Sequence, residues 1–200
     1  MTYAGPLYAA LTIAYWAFVI IVVALGVTAS AITSRSPRRW LVVTAAATIV
    51  VGIIAVVMPH EKPLPAVSVV LGLLVLALSV LGGGPAVLFV LALASKGTVR
   101  EGHHGGIVVE RAEPPASDNL VHVELLRGGT VIGVFERVAT TASIMAGFPE
   151  AIAVIVAIKS VGRFTELEVA EARERFIIGT LVSLVWAAAC GALFRFAIGL

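Results

Sequence analysis

The chain has 200 residues, of which 60% are hydrophobic and only 13% charged, with 14 Lys and Arg against 12 Asp and Glu. A soluble domain is roughly half apolar and about a quarter charged, so this chain has too little polar surface to cover a water-soluble globule, and lipid must solvate much of it. The net charge of +2, with no basic patch interleaved with aromatics, argues against nucleic acid as a partner; the lipid bilayer is the partner that the composition implies.

Leu7 to Ile32 is a run of about 26 residues without a charge, enough to cross a hydrocarbon core of roughly 30 Å at 1.5 Å per residue. No Lys or Arg precedes Arg35, whereas a secretory signal starts with a basic segment and a shorter apolar core, so this run reads as a retained first helix. Tyr3, Tyr8, Tyr15 and Trp16 suit an interfacial belt or contacts with other helices. A polar turn with Arg35, Arg38 and Arg39 follows. Trp40 to Met58 is the second span, with Thr44, Thr48 and Gly52 repeating at four as a close-packing stripe. Pro59, Pro63 and Pro65 then end it.

Ala66 to Ser95 is a third apolar run, interrupted by Gly82-Gly83-Gly84-Pro85. It reads as one bent span with that tetrapeptide at the bend or at the cytoplasmic end. It lacks the GxxxxGK[ST] spacing of a phosphate loop. Lys96 to Arg127 is the long polar segment, with four basic and five acidic residues. Gly105–Glu110 and Leu120–Leu126 read as short strands, and a small β-hairpin is one outcome.

Gly128 to Arg175 is the most informative stretch. Two short apolar arms, Val138–Phe148 and Ala151–Ile158, meet at Gly147-Phe148-Pro149-Glu150. Each is short for crossing alone, so the hairpin either re-enters on one side or spans with its charged ends included. Re-entrant backbone needs protein or water around it. Glu136, Thr140 and Ser143 share one helical face, with Arg137 and Thr141 alongside. Lys159 and Arg163, four apart, share another. A Glu136–Lys159 or Glu136–Arg163 pair is the expected consequence of the hairpin. Ionisable groups at membrane depth are costly and point to function, so Glu136, Arg137, Glu150, Lys159 and Arg163 form the candidate charged cluster. Thr165–Glu174 reads as a short surface helix. Phe176–Phe196 is the last span, with Gly179, Ser183, Ala187 and Gly191 at four-residue intervals as its packing stripe. That stripe fits either another helix of the same chain or a second copy.

The expected fold is therefore an all-α polytopic bundle of four long transmembrane helices plus a short-helix hairpin. It divides into three N-terminal spans (1–95), a cytoplasmic polar loop (96–129) and a C-terminal membrane region (130–200). With the Arg35–Arg39 turn in the cytoplasm, the N-terminus lies outside. Of the 14 basic residues all but Lys62 and Arg195 then fall on or near the cytoplasmic side, as the positive-inside rule requires.

Gly129-x-x-Ile132-Gly133-x-x-Glu136-Arg137, Gly147-x-Pro149, Ala157-x-Lys159-Ser160-x-x-Arg163-Phe164, and Glu171 to Phe176 followed by Ile178-Gly179-Thr180-Leu181-x-Ser183 occur in order over about the last third of the chain. This string resembles the C-terminal membrane region of a bacterial integral-membrane family of unknown function. The resemblance implies a bacterial cytoplasmic-membrane protein and a linked group comprising Glu136, Arg137, Lys159, Arg163, Gly179 and Thr180. It implies no chemistry.

His103, His104 and Glu101 could begin a metal site, with His122 joining only through folding. A solvated Gly-rich loop is the plainer reading. Cys190 lies alone in an apolar run and suits helix packing. No GxSxG or HExxH motif occurs, Asp118 is the only aspartate, and no cofactor motif is present. The expected function is a non-enzymatic membrane scaffold or accessory subunit, with a membrane-protein partner or a second copy beside it. A small transporter or channel using the Glu/Lys/Arg cluster is the second reading, and a loop sensor built on the histidines the third.

Overall fold

Prolines and glycines set the ends of most helices. The computed structural model describes residues 5–58, 61–94, 107–111, 121–125, 129–162 and 170–199, with backbone alone for 107–111, 121–125 and 170–172. Helix α1, Pro6–Arg35, starts on a proline, where the missing N–H is one that the helix leaves unpaired anyway, and stops at Ser36-Pro37. Helix α2 is Arg39–Val57 and α3 is Pro65–Ala94. Strands β1, Ile107–Arg111, and β2, Val121–Leu125, pair antiparallel with Val109 opposite Val123. Helices α4, Gly129–Ala146, α5, Ala151–Gly162, and α6, Ala170–Ala197, complete the chain.

Among the described residues, four helices are long and apolar enough to cross a membrane: α1, α2, α3 and the Arg173–Ala197 part of α6, with mean hydropathies between 2.1 and 2.6. The chain is a multi-pass helical membrane protein. Its apolar residues face both ways. Val19, Val23, Leu71, Val75, Leu78, Cys190 and Leu193 are fully or almost fully buried, while Leu11, Ile13, Ile54, Val69 and Leu73 are exposed on the outside, as lipid-facing positions should be. Helix α3 is central, packing mainly on α6 and α1; α2 rests on α1, and α4 on α6 and α3.

Two sequence expectations change. The third apolar run is a single span, as its sequence suggests, but the Gly82–Pro85 tetrapeptide is not the turn expected within it: α3 runs through to Ala94. Its glycines make a notch. A Cβ at Gly82 would run into the Trp186 ring, and one at Gly83 into the Arg137 side chain. Tertiary packing requires these glycines, and the helix tolerates them because neighbours lie across the gap. The surface helix expected over Thr165–Glu174 is also not separate at its end, because α6 begins at Ala170 and continues into the span. Residues 163–169, and with them Arg163, lie outside the described residues, as do His103 and His104.

The α4–α5 turn is built by Gly147, whose φ is +85°. Its N–H donates to the Ile144 carbonyl at 3.0 Å, and the Phe148 N–H to the Ser143 carbonyl at 2.8 Å, the pair of bonds that closes a helix on a left-handed residue. A Cβ at Gly147 would also lie 2.6 Å from Arg195 Nη1. Gly147→Ala is therefore expected to cost about 1–2 kcal/mol from backbone strain plus displacement of Arg195. A fall in midpoint in denaturing-detergent titration checks this, and Gly147→Asn, which tolerates positive φ better, should keep more of the stability than its added bulk suggests.

That turn also fixes the depth of the hairpin. Helix α4 has 18 residues, about 27 Å, and runs parallel to α6. Arg137 approaches Ser183, Thr141 bonds Ala187, and Gly147 meets Arg195 near the far end of α6. Helix α5 returns for 12 residues, about 18 Å, and none of its residues is buried. The arms are thus unequal. One follows the bundle along most of its length, and the other lies outside it.

Candidate functional site: a cationic cavity at one end of the bundle

Helix α4 is amphipathic in the inverted sense. Its buried residues are Glu136, Arg137, Thr140 and Thr141, while Val131, Phe135 and Ile132 are exposed. In water this helix would be inside out. In lipid it is the expected pattern for a helix that turns polar groups toward a bundle interior.

Glu136 Oε2 accepts a hydrogen bond from Lys159 Nζ at 2.5 Å, an ion pair between α4 and α5. The same ammonium lies 5.4 Å from the Phe176 ring centroid on α6, within cation–π range. One cation therefore ties three helices. Arg137 Nη1 donates a long bond, 3.4 Å, to Ser183 Oγ on α6, and its aliphatic stem crosses the Gly83 notch on α3. One layer deeper, Thr141 Oγ1 donates to the Ala187 carbonyl at 3.1 Å and lies 2.7 Å from Ser79 Oγ. Thr141 has a single hydroxyl proton, so Ser79 is the donor in that pair. Trp186 Nε1 donates to the Leu78 carbonyl at 3.2 Å.

Above this layer is a cavity of about 640 Å³, within the usual range of small-molecule sites. Its walls come from the end of α1 (Thr33, Ser34), the start of α2 (Arg38, Arg39, Val42), the last third of α3 (Gly84 to Ala92), the first half of α4 (Gly129 to Arg137), Lys159 of α5, and Arg175 to Ser183 of α6. Among the described residues, five cationic side chains and one carboxylate line it. Arg38 and Arg39 are exposed at the rim; Arg137 and Arg175 are buried. Among the described residues, Glu136 Oε1, Arg137 Nε, Thr140 Oγ1 and Thr180 Oγ1 are buried without a hydrogen-bond partner. Three of these four residues line the cavity. Clusters of unsatisfied polar atoms are uncommon in stable interiors and call for an explanation.

Among the described residues, the lining of the cavity stops within the bundle. Below it lie the Ser79–Thr141–Ala187 bridge and then Leu71, Val75, Leu78, Cys190 and Leu193, all fully buried. Among the described residues no polar path continues toward the far end of the bundle.

The structure joins Glu136, Arg137 and Lys159 and separates Glu150 from them. Glu150 is exposed in the α4–α5 turn, at the opposite end from the ion pair. Its position follows from helix length, because the turn that it occupies is where the hairpin is farthest from its charged base. The Gly179–Ser183–Ala187–Gly191 stripe faces its own chain. A Cβ at Gly179 would meet Val87 at 3.3 Å, Ser183 takes Arg137, Ala187 takes Thr141, and a Cβ at Gly191 would lie 2.8 Å from Ile144. Sequence reasoning used Arg38, Arg39 and Arg175 only to set orientation. Positive-inside counting shows that they share a side of the membrane, but nothing in their spacing shows that they share a cavity. Comparison with family models, curated proteins and solved structures finds no match to this chain.

Proposed function

We propose that this is a non-enzymatic accessory protein of the bacterial cytoplasmic membrane, N-terminus outside, which holds a ligand in its cavity at the cytoplasmic face. The observation that carries the reading is the cavity. Charged groups converge on a space lined at the arginine-rich end, and among the described residues packed apolar side chains lie beneath it. Such a space suits capture and presentation, whereas conduction needs a continuous or alternating path. The Glu136–Lys159 bond supports a structural duty for the pair, because it fastens α5, none of whose residues is buried, to the bundle. The resemblance of the last third to a bacterial membrane family supports the compartment, and the distribution of Lys and Arg supports the orientation.

The second reading is a small proton- or ion-coupled carrier, favoured by Glu136 itself, a carboxylate at membrane depth. Glu136→Gln separates the two. Purified protein is reconstituted into vesicles containing a pH-sensitive dye, and proton entry is followed under an imposed potential. The accessory reading expects no flux above protein-free vesicles and a less stable variant. A wild type that carries protons, with a variant that stays folded and stops the flux, would establish the carrier instead.

A further inference from the structure

We infer that the cavity takes the phosphate-bearing headgroup of an anionic membrane lipid, with the first part of its acyl chains against the apolar wall; this rests on the cavity being a ligand site, as proposed above. Four observations converge. The first is charge. Among the described residues Arg38, Arg39, Arg137 and Lys159 line a space whose carboxylate, Glu136, already has an oxygen committed to Lys159. The ligand that balances this wall is an anion.

The second is the helix ends. Arg39 and Gly129, the first residues of α2 and α4, both line the cavity. Helix N-termini carry unpaired N–H groups and partial positive charge, and they favour acidic residues in the first turn. Neither helix has one there, and α2 instead opens on two arginines with no side-chain cap. Cations at a helix N-terminus are unfavourable unless an external anion compensates them, and phosphate is the group that such ends commonly hold.

The third is the mixed character of the wall. Leu88, Phe89 and Phe176 face the same space as the cations. A free phosphate has no use for an apolar surface of that kind, whereas a lipid presents a phosphate and methylenes at once. The fourth is placement. The described residues that line the cavity lie between helices at the end of the bundle where the Arg-rich turn lies. Basic pockets in this position between membrane helices are lipid headgroup sites by chemistry and by depth.

The test is native mass spectrometry of the full chain in detergent, titrated separately with dioleoylphosphatidylglycerol, dioleoylphosphatidylcholine and sodium phosphate. The variants are Arg38→Gln/Arg39→Gln, which removes exposed rim charges and leaves the core untouched, and Leu88→Trp, which fills the cavity. The expected result is one tightly held phosphatidylglycerol, weakened about thirtyfold in the arginine variant (roughly fivefold for each arginine) and abolished by Leu88→Trp. Binding of sodium phosphate alone, with no preference for phosphatidylglycerol, would overturn the lipid assignment. Equal binding of both lipids, lost in Leu88→Trp, would overturn the charge argument and leave the ligand site standing. Lipid binding that Leu88→Trp leaves unchanged would place the ligand elsewhere and overturn the cavity reading itself.

Discussion

Glu136→Ala is expected to destabilise the protein by about 3 kcal/mol, the lower end of what removing one partner of a buried ion pair costs. Glu136 is 8% exposed and the Lys159 side chain 17%, so the lysine has some freedom to move its ammonium toward water, which keeps the cost below the upper end. Among the described residues the carboxylate is the sole negative charge of the cavity wall. Without it, Lys159 and Arg137 face each other's charge with no acid between them. The opposite truncation, Lys159→Met, should cost less, because Glu136 keeps Arg137 as its sequence neighbour and the methionine still covers Phe176. Glu136→Leu/Lys159→Met should recover most of the loss, since an apolar pair of similar volume replaces both charges. Denaturing-detergent titration of Glu136→Leu, Lys159→Met and the double variant measures the coupling directly. Equal costs for the two single changes would show that Arg137 does not share the carboxylate. A double variant no better than Glu136→Ala would show that the pair contributes packing rather than charge.

Gly82→Val should be the most damaging change to an uncharged position, at about 2–3 kcal/mol of overpacking. Even a single Cβ at this position would overlap the Trp186 ring and lie 2.9 Å from Ser30 Oγ. The ring cannot swing aside cheaply, because Trp186 is 8% exposed and its Nε1 is bonded to the Leu78 carbonyl. Replacing glycine within a helix ordinarily helps by roughly 0.5–1 kcal/mol, so the sign of the effect is itself informative. A stabilised Gly82→Ala variant would mean that α3 and α6 are not in this register. In the expected case both Gly82→Ala and Gly82→Val lose stability, valine more, and Trp186 fluorescence shifts as the ring is forced from its seat. Gly83→Ala should act differently. Its neighbour is the Arg137 stem, so it should disturb the cavity wall first, and Arg137→Ala in the same chain should restore part of the loss.

The four long helices were readable from the sequence for a simple reason. In lipid, a helix must satisfy its own backbone and cover itself with apolar side chains, so each span is announced by a local run of residues, with Arg, Pro and Gly marking its ends. The Glu136–Lys159 pairing was also within reach, because a short turn forces the two bases of a hairpin together. That Gly82–Pro85 lies inside one span was readable, but its role as a notch was not. Glycine has the same local signature whether it makes a turn or a notch, and the choice depended on the Trp186 ring and the Arg137 stem arriving from helices far along the chain. Membership of the cavity was likewise decided by tertiary structure. Arg38, Arg39, Arg137, Lys159 and Arg175 come from four helices, and only the register of α4 and α6 against α2 and α3 brings them to one wall. The same register placed Glu150 at the far end. Sequence determined which segments enter the membrane, because that depends on each segment's own transfer free energy. Packing between segments determined which charges meet, because in lipid close contact, rather than hydrophobicity, selects one helix face over another.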